Sequence, residues 1–252
     1  MRRNVIATVL RMTPEEAAVA SADAVSNLTA RFMLDVATYQ YGASVGFPGM
    51  SFYTAGRGGV LGDVDAEAVT EAFVFFHPDN VKANWEQTGD VMARADAARE
   101  FQQCCSQWAE EHIPDDVDAA TLAALAQRVA AAADATNAPV FAGWRNLTPP
   151  ESPKAAAAHH MNSLRELRFA LHARAVLAQG IAPEDALRHR QPHMVAIFGW
   201  GDPTESSADI AADWNQAEDE TNAGMAKALG VLGADELDQF VALANAAYAA
   251  SA

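Results

Sequence analysis

The stretch Lys154-Ala155-Ala156-Ala157-Ala158-His159-His160-Met161-Asn162-Ser163-Leu164-Arg165-Glu166-Leu167-Arg168-Phe169-Ala170-Leu171-His172-Ala173-Arg174-Ala175-Val176-Leu177-Ala178-Gln179 decides the fold. It contains neither proline nor glycine, and it is rich in alanine, the strongest helix former. Gly180 follows it in the position of a helix-ending glycine. At about 100° per residue, His159, Ser163, Glu166, Ala170 and Leu177 share one stripe. Leu164, Leu167 and Leu171 form an apolar stripe beside it, and Arg165, Arg168 and His172 a third. Apolar residues therefore lie on several sides, as in a helix surrounded by protein.

Helical patterning continues outward from this segment. Thr13-Pro14-Glu15-Glu16 carries a capping box with proline at the first helical position, opening a helix expected to reach Tyr41. Gly42–Gly62 holds seven glycines and reads as a loop or broken helix lying over the long helix. Further helices are expected over Asp65–Phe76, Pro78–Trp85, Val91–Glu111, Ala119–Ala135, Pro183–His189, Ser207–Leu229 and Ala234–Ala250. Asn137–Pro153 and His189–Thr204 read as irregular. No alternating strand pattern persists beyond a few positions. The expectation is an all-α bundle of about eight or nine helices in one domain spanning residues 1–252. Residues 1–12 are expected to be flexible and 190–206 to form an irregular connection.

Half of the chain is apolar, enough to build a core and to exclude general disorder. The formal net charge of −16 opposes phosphate backbones and anionic membranes alike, making nucleic acid an unfavourable partner. The N-terminal Met1–Arg11 imitates a signal peptide, but its apolar run is short and Arg11 interrupts it. No run of 18 apolar residues exists to span a membrane. The only cysteines, Cys104 and Cys105, are adjacent, where a mutual disulfide would be strained. These features together point to the cytoplasm.

Chemistry-bearing residues concentrate on the long helix. Polar groups buried there must be paired, so the stripe of His159, Ser163 and Glu166 is informative. Either Glu166 pairs with an arginine from elsewhere, or these groups face a pocket and handle a ligand proton or a metal. His77 sits at a helix break before Pro78. With His159 and Glu166 it would complete a two-histidine, one-carboxylate set suited to Zn or Fe. Haem stays among the candidates, although no attachment motif is present. Arg57, alone among glycines, could clamp a ligand carboxylate or tie its loop to Glu166. The sequence has no nucleophile elbow, zinc-protease motif or Rossmann fingerprint.

Four segments carry a resemblance. Phe52-Tyr53-Thr54-Ala55-Gly56-Arg57-Gly58-Gly59-Val60-Leu61-Gly62 resembles the Y-F-A-x-R-A-A-P-L-G signature of actinobacterial SalK-like proteins. Glu71–Trp85, with Phe75-Phe76-His77-Pro78, is similar to their F-x-N-F-x-P segment ending in tryptophan, and Pro139-Val140-Phe141-Ala142 to their R-P-L-F-A-A-N. His159–Val176 resembles their W-H-A-x-T-L-L-R-E-H-R-G-D-G-H-V-A-A-L helix. There His159, Leu164, Arg165, Glu166, Arg168 and His172 match, whereas Leu167, Phe169, Ala170 and Leu171 replace H, G, D and G. The resemblance covers about residues 50–190. It implies a helix-turn-helix protein with a winged-helix-like part near its C-terminus, and an association with natural-product gene clusters. Here that part looks truncated: Trp200 marks its start, and helical pattern resumes without a β-wing.

The functional expectation is an enzyme or accessory enzyme acting on a small, natural-product-like molecule. Glu166 and His159 would form the acid/base pair, and His77 a second proton carrier or metal ligand. Arg57, Ser163, Phe76, Trp85 and Phe169 would hold the substrate. The alternative is a non-catalytic binder or sensor descended from a winged-helix regulator. An alanine-rich helical face offers a route to a homodimer.

Overall fold

The computed structural model describes residues 11–201 and 209–251. Among them no strand occurs, and the elements run from α1 to α14 with two short 3-10 turns. The chain is all-α, as expected, but has more helices than eight or nine. The expectation of a flexible leading segment lies, for residues 1–10, outside the described residues, as do 202–208 of the irregular connection.

The difference begins in the expected first helix, which divides into α1 Pro14–Ala20, α2 Ala22–Asn27, α3 Ala30–Leu34 and α4 Val36–Ser44. The capping box at Thr13 forms as predicted: Glu16 N–H donates to Thr13 Oγ1 at 3.2 Å, and Thr13 N–H to Glu16 Oε2 at 2.8 Å. The clearest break is at Asp35, where the backbone is extended and the carboxylate accepts from Ala37 N–H at 2.7 Å. An aspartate that can satisfy an orphan N–H favours capping a new helix over continuing the old one.

The glycine-rich stretch holds a second correction. Ser51–Gly58 is α5, buried at every residue, followed by a 3-10 turn at Gly59–Leu61. Its glycines allow close packing rather than turning. A Cβ on Gly56 would stand 2.5 Å from the Phe101 side chain, and one on Gly59 would meet the Arg94 carbonyl. Turn chemistry and close helix packing use the same residue, so composition alone could not separate them. Part of the expected loop after Asn137 is likewise helical, as α10 Pro139–Asn146.

The remaining elements are α6 Ala66–Phe73, α7 Pro78–Glu86, α8 Arg94–His112, α9 Ala119–Ala132, α11 Pro153–Ala178, α12 Pro183–Arg190, α13 Ala211–Leu229 and α14 Ala234–Ala250. The long helix α11 contacts α2, α8, α9, α10, α12 and α13. From Ala157 to Arg168 only Arg165 escapes full burial, as the apolar pattern required. Its end is a Schellman turn: Gly180, at φ 74°, donates to Leu177 O, and Ile181 donates to Val176 O.

The principal core gathers residues from α1 to α14, including the aromatic set Phe32, Phe47, Phe52, Phe101 and Trp144. A smaller cluster of Leu187, Met194 and Val195 lies on α12 and the turn after it, with Trp200 packed on it and Phe198 packed on both it and the principal core. No helix among the described residues is long and apolar enough to cross a membrane.

Candidate functional site

Arg57 on α5 and Glu166 on α11 form the polar centre of the core. Arg57 Nε and Nη2 donate to Glu166 Oε1 and Oε2 at 2.9 and 2.8 Å, and both side chains are fully buried. Arg165 Nη1 donates to Oε1 at 2.6 Å. The Arg57 guanidinium also lies 4.4 Å from the ring centre of Phe73 and 4.3 Å from that of Phe169. Burial alone would drive the Glu166 carboxyl towards its neutral form, but the charges of Arg57 and Arg165 outweigh it and hold the group below the usual carboxylate range.

This geometry takes the structural branch of the two readings of Glu166. Both oxygens are held by guanidiniums and closed off from solvent. Arg57, expected as an anion clamp, has turned its fork inward onto the protein's own carboxylate.

The other expected residues do not gather around this pair. His159 lies seven positions earlier on α11, roughly 10 Å along the axis. Its Nδ1 stands 3.0 Å from Gln102 Nε2, its Nε2 is buried without a partner, and burial beside His160 lowers its pKa to about 4. Ser163 donates back to the His159 carbonyl at 3.1 Å. Trp85 donates to Val64 O at 2.9 Å, and the Arg94 guanidinium lies 3.8 Å from its ring centre. His77 caps α7 by accepting from Asp79 N–H, and its ring lies 4.9 Å from that of Trp200.

The proposed metal set of His77, His159 and Glu166 is therefore not assembled. Among the described residues no group of three or more His, Cys, Asp or Glu could hold a metal ion.

A cavity of about 380 Å³ opens on the next stripe of α11. Arg165, Arg168, Phe169 and His172 face it from the long helix, joined by Tyr53, Phe75, Phe76 and Trp214. Ala186, Leu187, Arg190 and Phe198 close the side formed by α12 and the following turn. Of the expected site residues, Phe76 and Phe169 line it, while Arg57 and Glu166 stand directly behind Arg165 and Phe169.

Local backbone chemistry aims the aromatics. The expected helix to Phe76 stops early, at Val74, which adopts φ 42°. That conformation is costly for a β-branched residue, on the order of 1–3 kcal/mol. It turns Phe75 and Phe76 off the helix and into the cavity wall. Phe76 stacks on Phe198 with ring centres 3.8 Å apart, and Phe75 meets Phe169 edge-on at 5.5 Å.

The cavity cations differ in how far they are engaged. Arg168 donates to Ser26 Oγ, Asn222 Oδ1 and Glu218 Oε2 at 3.1, 2.9 and 2.9 Å. His172 Nδ1 lies 3.2 Å from Thr221 Oγ1 and 3.6 Å from Glu218 Oε1, with its ring 4.8 Å from that of Trp214. Burial lowers the His172 pKa, with Arg168 and Arg190 adding to the effect and Glu218 opposing it. The sequence points to the stripe of His159, Ser163 and Glu166, whereas the cavity opens on that of Arg165, Arg168 and His172. The charge density of that stripe, in a helix otherwise enclosed by core, was the available signal.

Residues 17–209 match the model of a helix-turn-helix family, and the chain belongs to that family. No curated protein and no solved structure matches it.

Proposed function

We propose that this protein binds a small organic molecule in the cavity beside α11, as a ligand-binding member of its helix-turn-helix family. The supporting observation is the cavity itself: about 380 Å³, walled by aromatic rings and carrying a few oriented polar groups. The net charge of −16 weighs against nucleic acid as the primary partner. A natural-product-like ligand and the finer SalK-like kinship fit this reading, and both belong to the proposal.

Isothermal titration with two aromatic probes, naphthoate and naphthamide, tests it. Saturable binding at one site, lost in Ala22→Trp, is the expected result, because the added indole would fill the cavity. If neither probe binds, the reading fails. A salt-sensitive mobility shift on DNA would replace it with a DNA-binding role.

A catalytic reading stands second, and the His172–Glu218 spacing of 3.6 Å favours it. Both residues line the cavity, where they would exchange a proton with a bound molecule. Product formation that disappears in His172→Gln while binding persists would promote it.

A further inference from the structure

The cavity's deep wall carries a positive charge that the protein leaves uncompensated. One carboxylate, Glu166, serves two guanidiniums. Arg57 takes both of its oxygens through a bidentate fork, whereas Arg165 holds it through a single hydrogen bond. Arg57, Glu166 and Arg165 together bear one net positive charge, and Arg165 is the member that reaches the cavity. Its Nε is buried without a hydrogen-bond partner. That Nε is closed off from solvent, so the cavity meets the rest of the guanidinium, which the single bond to Glu166 leaves free to make a charge-assisted hydrogen bond to an anion.

The neighbouring charges do not cancel this one. Arg168 and Glu218 are already paired, and Asp23 is an exposed rim residue. Arg190, also an exposed rim residue, offsets Asp23, so the positive charge left on the lining is that of Arg165. Around this charge lie the flat faces and edges of Phe75, Phe169 and Trp214. On a surface whose overall charge repels anions, a focused positive site is a selective feature.

We infer that the ligand is an aromatic carboxylate, its anionic group bound by Arg165 and its ring seated among Phe75, Phe169 and Trp214. This rests on the cavity being a ligand site. The test compares naphthoate with naphthamide, which has nearly the same shape but no charge, by isothermal titration above neutral pH. Wild-type protein should favour naphthoate by about 10-fold or more. Arg165→Gln should remove that preference while leaving naphthamide affinity in place. Arg165→Lys, which keeps the charge without the planar fork, should retain a smaller preference. Circular dichroism and a urea midpoint confirm that each variant is folded. Equal affinity of wild-type protein for both probes overturns the inference and leaves the cavity reading standing. So does a preference undiminished in both folded Arg165 variants. Binding of neither probe overturns both.

Discussion

Arg57 on α5 and Glu166 on α11 meet through two parallel hydrogen bonds, with neither side chain reached by solvent. Each is the other's main compensation for leaving water. Glu166→Gln therefore strands a buried guanidinium, and we expect a loss of about 3–5 kcal/mol in urea unfolding. The double variant Arg57→Met, Glu166→Leu should recover part of that loss, since the apolar pair has no charge to desolvate while Arg165 loses its carboxylate. A double variant as unstable as the single one would contradict this account.

Gly56 sets how closely α5 approaches α8. Gly56→Ala would force a methyl to within 2.5 Å of the Phe101 side chain, and we expect it to cost about 1–3 kcal/mol. Gly201→Ala, with nothing among the described residues near its added Cβ, is the control and should be close to neutral. Thermal melts of the two variants read the difference directly.

His159 makes stability depend on pH. Its folded pKa is depressed from 6.5 to about 4, so between those values the unfolded chain binds the proton that the folded chain refuses. Stability is then full above pH 6.5 and falls as pH drops towards 4, by on the order of 3 kcal/mol. Protonation would also break the acceptor role of Nδ1 towards Gln102. Urea midpoints across this window should slope less steeply in His159→Gln. An identical slope would assign the acid sensitivity elsewhere.

Gly180 ends α11 at φ 74°, a conformation that penalises a Cβ. Gly180→Ala should lose about 1 kcal/mol, and Gly180→Asn less, because asparagine tolerates the left-handed region. Equal costs for the two variants would mean that backbone conformation is not the limiting factor.

Much of the fold was legible because it depends on local rules. The capping box at Thr13, the terminal glycine at 180 and the enclosed pattern of α11 each follow from a few adjacent residues. Asp35 was legible in principle, as a capping residue inside a helical run, yet no local rule says when a cap overrides continuation. Gly56 and Gly59 misled because their role is set by Phe101 and Arg94, which approach from another part of the chain. The candidate site divides in the same way. The importance of Glu166 was readable from its charge in an apolar helix, and Arg57 was rightly weighed as its partner. That Arg165 and His172, a small rotation away, face the cavity depends on which neighbours cover each side of α11. Helical periodicity separates the stripes but does not say which one is left open.

The cluster of Leu187, Met194 and Val195, of which Leu187 lines the cavity, is separate from the principal core and joined to it through Phe198. Its attachments run through a few points, such as the His77 N–H to Phe198 carbonyl bond and the Trp200 indole on the Phe75 carbonyl. Two free-energy scales then coexist in one molecule. Amide protons of α12 are then expected to exchange with solvent before those of α11. A substitution in this cluster can therefore change its stability without altering the core that holds Arg57 and Glu166.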